Sequence, residues 1–81
     1  MEDVAKQAVE RGLKARDTYG PYSSLHEAYA VLLEEVDELW QLVKMKRGAH
    51  GPALDARISD EALDIAAVAL RIANRELDTE R

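Results

Sequence analysis

The sequence predicts an all-α fold: an N-terminal helix followed by a helical hairpin, with a four-helix-type bundle completed by homo-oligomerisation. Three observations carry this. Apolar residues recur at helical spacing through three segments, and no segment alternates with the period of a strand. Two turn-forming stretches, Tyr19-Gly20-Pro21-Tyr22 and Gly48-Ala49-His50-Gly51-Pro52, separate those segments. The centre of the third, Ile65-Ala66-Ala67-Val68-Ala69-Leu70, is apolar on most faces and is expected to be buried nearly all round. Two neighbouring helices leave part of such a surface uncovered, so a second copy of the chain is expected to cover it.

The first helix is predicted over about Glu2–Arg16, where Val4, Ala5, Ala8, Val9, Gly12 and Leu13 share a helical face. Gly20 permits a left-handed turn, and Pro21 cannot continue a helix. Ser24 followed by Glu27 reads as a capping box and starts the second helix. That helix continues through Leu25, Tyr29, Leu32, Leu33, Val36, Leu39 and Val43. Lys44, Lys46 and Arg47 are expected in its last turn, where positive charge suits the helix dipole, with Gly48 as the stop. The third helix begins somewhere between Pro52 and Ser59, since both offer a start signal, and runs to about Leu77.

At 81 residues the chain is one domain, residues 1–81. It has no Cys, hence no disulfide and no thiolate metal site. The opening Met1-Glu2-Asp3 is acidic and unlike a signal peptide, and no stretch is long enough to span a bilayer. A cytoplasmic location is expected. A net charge of -5 argues against a nucleic-acid duplex as partner, because phosphate contacts demand a basic surface. It leaves a nucleotide open, since a bound metal reverses the local sign.

Two acidic clusters carry the chemistry. The first, Glu34-Glu35-Val36-Asp37-Glu38, reads EExxE; the second, Glu61-Ala62-Leu63-Asp64, reads ExxD. Glu35 and Asp64 are equidistant from a midpoint between Ala49 and His50, and so are Glu38 and Glu61. In an antiparallel hairpin with its turn there, the four carboxylates lie level. At about 100° per residue, Glu34, Glu35 and Glu38 share one flank of the second helix, whereas Asp37 points elsewhere. Carboxylates crowded in this way are costly unless a cation neutralises them. All the donors are oxygen, so the cation is a hard divalent one, Mg²⁺ or alternatively Mn²⁺. Di-iron bundles add a His at Glu-x-x-His spacing, and none occupies that position here. Metal-assisted hydrolysis of a phosphoanhydride uses all these parts, with a free carboxylate taking a proton from water.

With these motifs and the flanking phrases LHEAYAVLLEEVDELW and DEALDIAAVALRIA, residues 24–73 resemble the MazG-like nucleotide pyrophosphohydrolases of the all-α NTP pyrophosphatase superfamily. The resemblance implies hydrolysis of a nucleoside triphosphate to monophosphate and pyrophosphate. It implies Glu35, Glu38, Glu61 and Asp64 as Mg²⁺ ligands, with catalysis by Glu34, Glu35 and Glu38. Glu34 would stand outside the ligand set, bind a further metal or orient water. It also implies a homodimer or homotetramer. Many relatives continue with another helix beyond the position of Arg81, which implies a pocket completed by a second subunit or a degenerate one.

Other residues admit two roles. Lys44, Lys46 and Arg47 either hold triphosphate oxygens or act as dipole partners. Arg71 either reaches phosphate or, as favoured, pairs with Glu76 or Asp78 on the surface. Tyr22 and Tyr19 are the better candidates for contact with a base. Trp40 faces away from the acidic cluster and is expected in the core or a dimer interface, and His26 reads as a surface or packing residue. Two functional alternatives stand beside the pyrophosphohydrolase: a non-catalytic oligomerisation or regulatory module with a vestigial metal site, and, ranked lower, phosphoribosyl-ATP hydrolysis.

Overall fold

The computed structural model describes residues 1–46 and 48–77, with Ala49 described by its backbone alone. It is all-helical: α1 spans Glu2–Tyr19, α2 spans Leu25–Val43 and α3 spans Gly51–Ala73, with a 3₁₀ turn over Gly48–His50 leading into α3. α3 packs on both of the others, and among the described residues α1 and α2 make no helix–helix contact. The molecule is therefore a V, with α1 and α2 as its arms and α3 along its floor.

Local chemistry explains the boundaries. Ser24 Oγ accepts the Glu27 backbone N–H at 3.1 Å, as a capping residue should. The Glu27 carboxylate reaches back to the N–H of Ser23, one position earlier than a capping box requires. α1 runs three residues past the expected Arg16 and stops at Gly20, whose φ is 75°. α2 ends at Val43, with Lys44 as its C-cap. Lys46 thus lies beyond the helix rather than in its last turn, because the chain has already left the helical path there. α3 takes the earlier of its two candidate starts, with Pro52 in the first turn where its missing N–H costs nothing.

α3 ends at Ala73, short of Leu77. Arg75 adopts a positive φ of 56°, and the chain doubles back so that Leu77 bridges to Tyr22. The Tyr22 N–H donates to the Glu76 carbonyl at 3.0 Å. Leu54, Leu63, Ala67 and Val68 of α3 are buried, together with Ala8 of α1 and Ala28 and Leu42 of α2. Burial of α3 is not all-round, however: Ala69 and Leu70 face outward, since only two helices cover it within one chain.

α2 carries a second apolar face. Leu25, Tyr29, Leu33, Val36, Trp40 and Val43 follow one another at spacings of four and three, and all are exposed. Trp40, 56% exposed, is on this row and not in the core of the chain. Among the described residues, no helix is long and apolar enough to cross a membrane.

Candidate metal centre

Three of the predicted acidic residues converge. Carboxylate oxygens of Glu35 and Glu38, one turn apart on α2, and of Glu61 on α3 all lie within 4.8 Å of one another. The antiparallel packing of α2 on α3 produces this, with Glu61 level with both α2 residues. Glu61 is half-buried between them, and its Oε2 is enclosed with no hydrogen-bond donor.

The electrostatics follow. Burial, and then the Glu35 carboxylate beside it, push the Glu61 carboxyl up to about 7. The Glu38 carboxyl is also raised, first by the charge of Glu61 and then by its close approach, with smaller contributions from Glu34 and Asp64. An enclosed carboxylate oxygen without a donor needs either a proton or a cation. Three carboxylates, each offering one oxygen, leave half of an octahedral shell to water and substrate oxygens, a donor set a hard divalent cation could accept. By donor chemistry and by its orphaned oxygen, the cluster fits a hard divalent cation.

Asp64 is placed differently from the other three. Its Oδ1 accepts from Arg11 Nη1 of α1 at 2.9 Å. The same nitrogen donates to the Asp60 carbonyl at 2.9 Å, and Nη2 donates to Asp60 Oδ1 at 2.8 Å. Sequence reasoning missed Arg11, although one signal was available: a charge set between Ala8 and Ala15 on the inward face of an amphipathic helix. Glu34 stays on the exposed flank, outside the three-residue cluster.

Beside the centre, the V encloses a cleft of about 500 Å³. Glu35, Asp64 and Glu27 are its acidic lining, with Arg11 bonded to Asp64, and Ala15, Val31, Ala67 and Val68 are among its apolar lining. Tyr19, 82% exposed, stands at its rim. Tyr22 lines the same cleft but is 7% exposed and belongs to the core with Ala28 and Val68. The Arg71 guanidinium lies 4.3 Å from the Tyr22 ring centroid. Tyr22 is thus a wall, and Tyr19 is the ring open to solvent.

Arg71 is buried at 5% exposure and not a surface residue. Its Nε donates to Glu76 Oε1 at 2.9 Å and its Nη2 to the Gly20 carbonyl at 2.7 Å. Of the basic candidates near the end of α2, Lys44 lies with its Nζ 5.6 Å from the Trp40 ring centroid, on the outer face. Neither Lys44 nor Lys46 lines the cleft. Arg47 and Asp78 lie outside the described residues. No family model, curated protein or solved structure matches the chain.

Proposed function

We propose that this chain is a Mg²⁺-dependent, MazG-like nucleoside triphosphate pyrophosphohydrolase, releasing nucleoside monophosphate and pyrophosphate. The observation that carries the reading is the convergence of Glu35, Glu38 and Glu61 at the side of an apolar cleft. A nucleotide has one polyanionic end and one flat apolar end, and the cleft offers a counterpart for each. Glu35, Glu38 and Glu61 would hold the cation, with Asp64 as the fourth ligand. When bound, the ion would neutralise phosphate charge and acidify the attacking water. Glu34, a neighbour of Glu35 on the exposed flank, would take that water's proton or orient the water. Tyr19 offers a stacking surface for the base at the rim, and Tyr22 with Val68 closes the floor.

The exposed row on α2 supports assembly into a homodimer or homotetramer, and a cytoplasmic location belongs to the same proposal. Pyrophosphate release across canonical and modified nucleoside triphosphates, with and without Mg²⁺, tests it. Absence of metal-dependent turnover on every substrate sinks it.

The same apolar row favours a second reading, a non-catalytic helical oligomer in which the acidic centre is vestigial. Thermal stability under Mg²⁺ or Mn²⁺ titration separates the two. A cation that binds only the folded chain raises the melting temperature, and a flat response favours the module.

A further inference from the structure

The residue that unites α1 with the acidic centre has no place in the function above. Arg11 is one-third exposed, lines the cleft, and clasps α3 through Asp60 and Asp64. Its two anchors differ. Asp60 receives two hydrogen bonds, one on its carbonyl and one on its carboxylate, whereas Asp64 receives a single one on Oδ1. Asp60 thus supplies two of the three bonds, and one of them is to backbone. These three bonds engage three of the five N–H donors of the guanidinium.

Asp64 stands between Arg11 and the carboxylate cluster. Arg11 is at 2.9 Å; Glu61 of the cluster lies one turn back on α3, and Glu35 lines the same cleft as Asp64. A carboxylate satisfied by Arg⁺ is a poorer ligand, because part of its negative charge is already neutralised. The pair is about half exposed on the Asp64 side, so water can replace either partner at modest cost.

Resting on the metal reading above, we propose that Arg11 and the divalent cation exchange at Asp64, and that the released guanidinium binds substrate phosphate. Asp64 leaves Arg11 to complete the ligand set. Arg11 stays anchored on Asp60 at the mouth of the cleft, with the donor freed from Asp64 and its two further donors available to phosphate oxygens. Arginine suits this exchange because its fork pairs equally well with a carboxylate and with a phosphate. The device keeps one positive charge beside the acidic centre until the cation arrives, then moves that charge to the anionic ligand.

The exchange makes an opposite-sign prediction that a merely structural Arg11 does not. Two affinities are measured: Mn²⁺ alone, from the paramagnetic resonance of the free ion, and inorganic pyrophosphate at saturating Mn²⁺, by calorimetry. Arg11→Gln should bind Mn²⁺ about three- to fivefold more tightly, because Asp64 is released from its competitor. The same variant should bind pyrophosphate about three- to fivefold more weakly. Arg11→Lys, which keeps the charge, should hold pyrophosphate within about twofold of wild type. Loosening of both ligands in Arg11→Gln, or no change in either, overturns the exchange while leaving the metal centre standing. A wild-type chain that binds no Mn²⁺ overturns the metal centre and the exchange with it.

Discussion

Arg71 of α3 donates a hydrogen bond to the carbonyl of Gly20 across 2.7 Å, and so ties the floor of the V to the loop joining its two arms. The same guanidinium pairs with Glu76, and both side chains are almost fully buried. Arg71→Met should destabilise the chain by about 3 kcal/mol in urea denaturation, because it strands a buried carboxylate. Burial works against the Glu76 charge, but hydrogen bonds from Arg71 and Asn74 outweigh it and hold the carboxyl below its ordinary 4.5. A depressed carboxyl contributes stability above that value and loses it as pH falls through the folded pKa. Wild type should therefore weaken steeply below about pH 4.5, and Glu76→Gln should blunt that slope.

Glu61 acts in the opposite sense. Its folded pKa of about 7 lies above its ordinary 4.5, so the folded chain holds a proton that the unfolded chain releases. Its contribution is greatest below pH 4.5 and declines as pH rises through 7. Between pH 5 and pH 8, wild type should lose about 1–2 kcal/mol, discounted for solvent screening, and Glu61→Gln should lose little. Denaturation series at the two pH values measure this. Adding Mn²⁺ at pH 8 should restore the loss in wild type and leave the stability of Glu61→Gln nearly unchanged.

Glu38→Gln tests catalysis more directly, because Glu38 is exposed and its replacement leaves the helix packing intact. Metal-dependent pyrophosphate release should fall by roughly 100-fold or more, with helical content unchanged by circular dichroism. Retention of more than a tenth of the activity would remove Glu38 from the ligand set.

The row on α2 predicts assembly. Sedimentation at micromolar concentration should show a dimer or larger species for wild type and a monomer for Leu33→Lys. Leu33 sits near the middle of the row, and a charge there has no partner in a pairing of apolar faces. A monomeric wild type would leave the six exposed side chains without this explanation.

Gly12 offers a control on packing. A Cβ there would meet the Ala67 carbonyl oxygen and Arg71 Cγ at 3.6 Å, an ordinary contact distance. Gly12→Ala should therefore stabilise α1 by about 0.5–1 kcal/mol, seen as a raised denaturation midpoint with unchanged slope.

What was legible in the sequence was what neighbours in the chain decide. Ser24 with Glu27, Gly20 with Pro21, and the apolar spacing of the helices are local signals, and each element formed. The convergence of Glu35, Glu38 and Glu61 was legible because a hairpin turns sequence distance from the midpoint into height. The placement of Asp64 was not, because Arg11 lies 53 residues away on a helix outside the hairpin. Tyr22 reads from the sequence as a candidate for base contact, because the Leu77 and Arg71 that pack on it are distant in the chain. The start of α3 was ambiguous because Pro52 and Ser59 both favour a helix N-terminus, and the earlier start brings Leu54 into the buried set.

The knot of Arg71, Gly20, Tyr22 and Glu76 ties the end of α3 to the loop from which α2 starts, and so sets where α2 begins its path along α3. Glu35 is ten residues along α2 from its first residue, Leu25, a lever arm of roughly 15 Å at ~1.5 Å per residue. A tilt of about 5° in α2 would shift Glu35 by roughly 1.3 Å, more than half of a ~2 Å metal–oxygen bond. Under the proposed metal reading, Arg71→Met should therefore weaken Mn²⁺ binding as well as the fold, although it touches none of the three carboxylates.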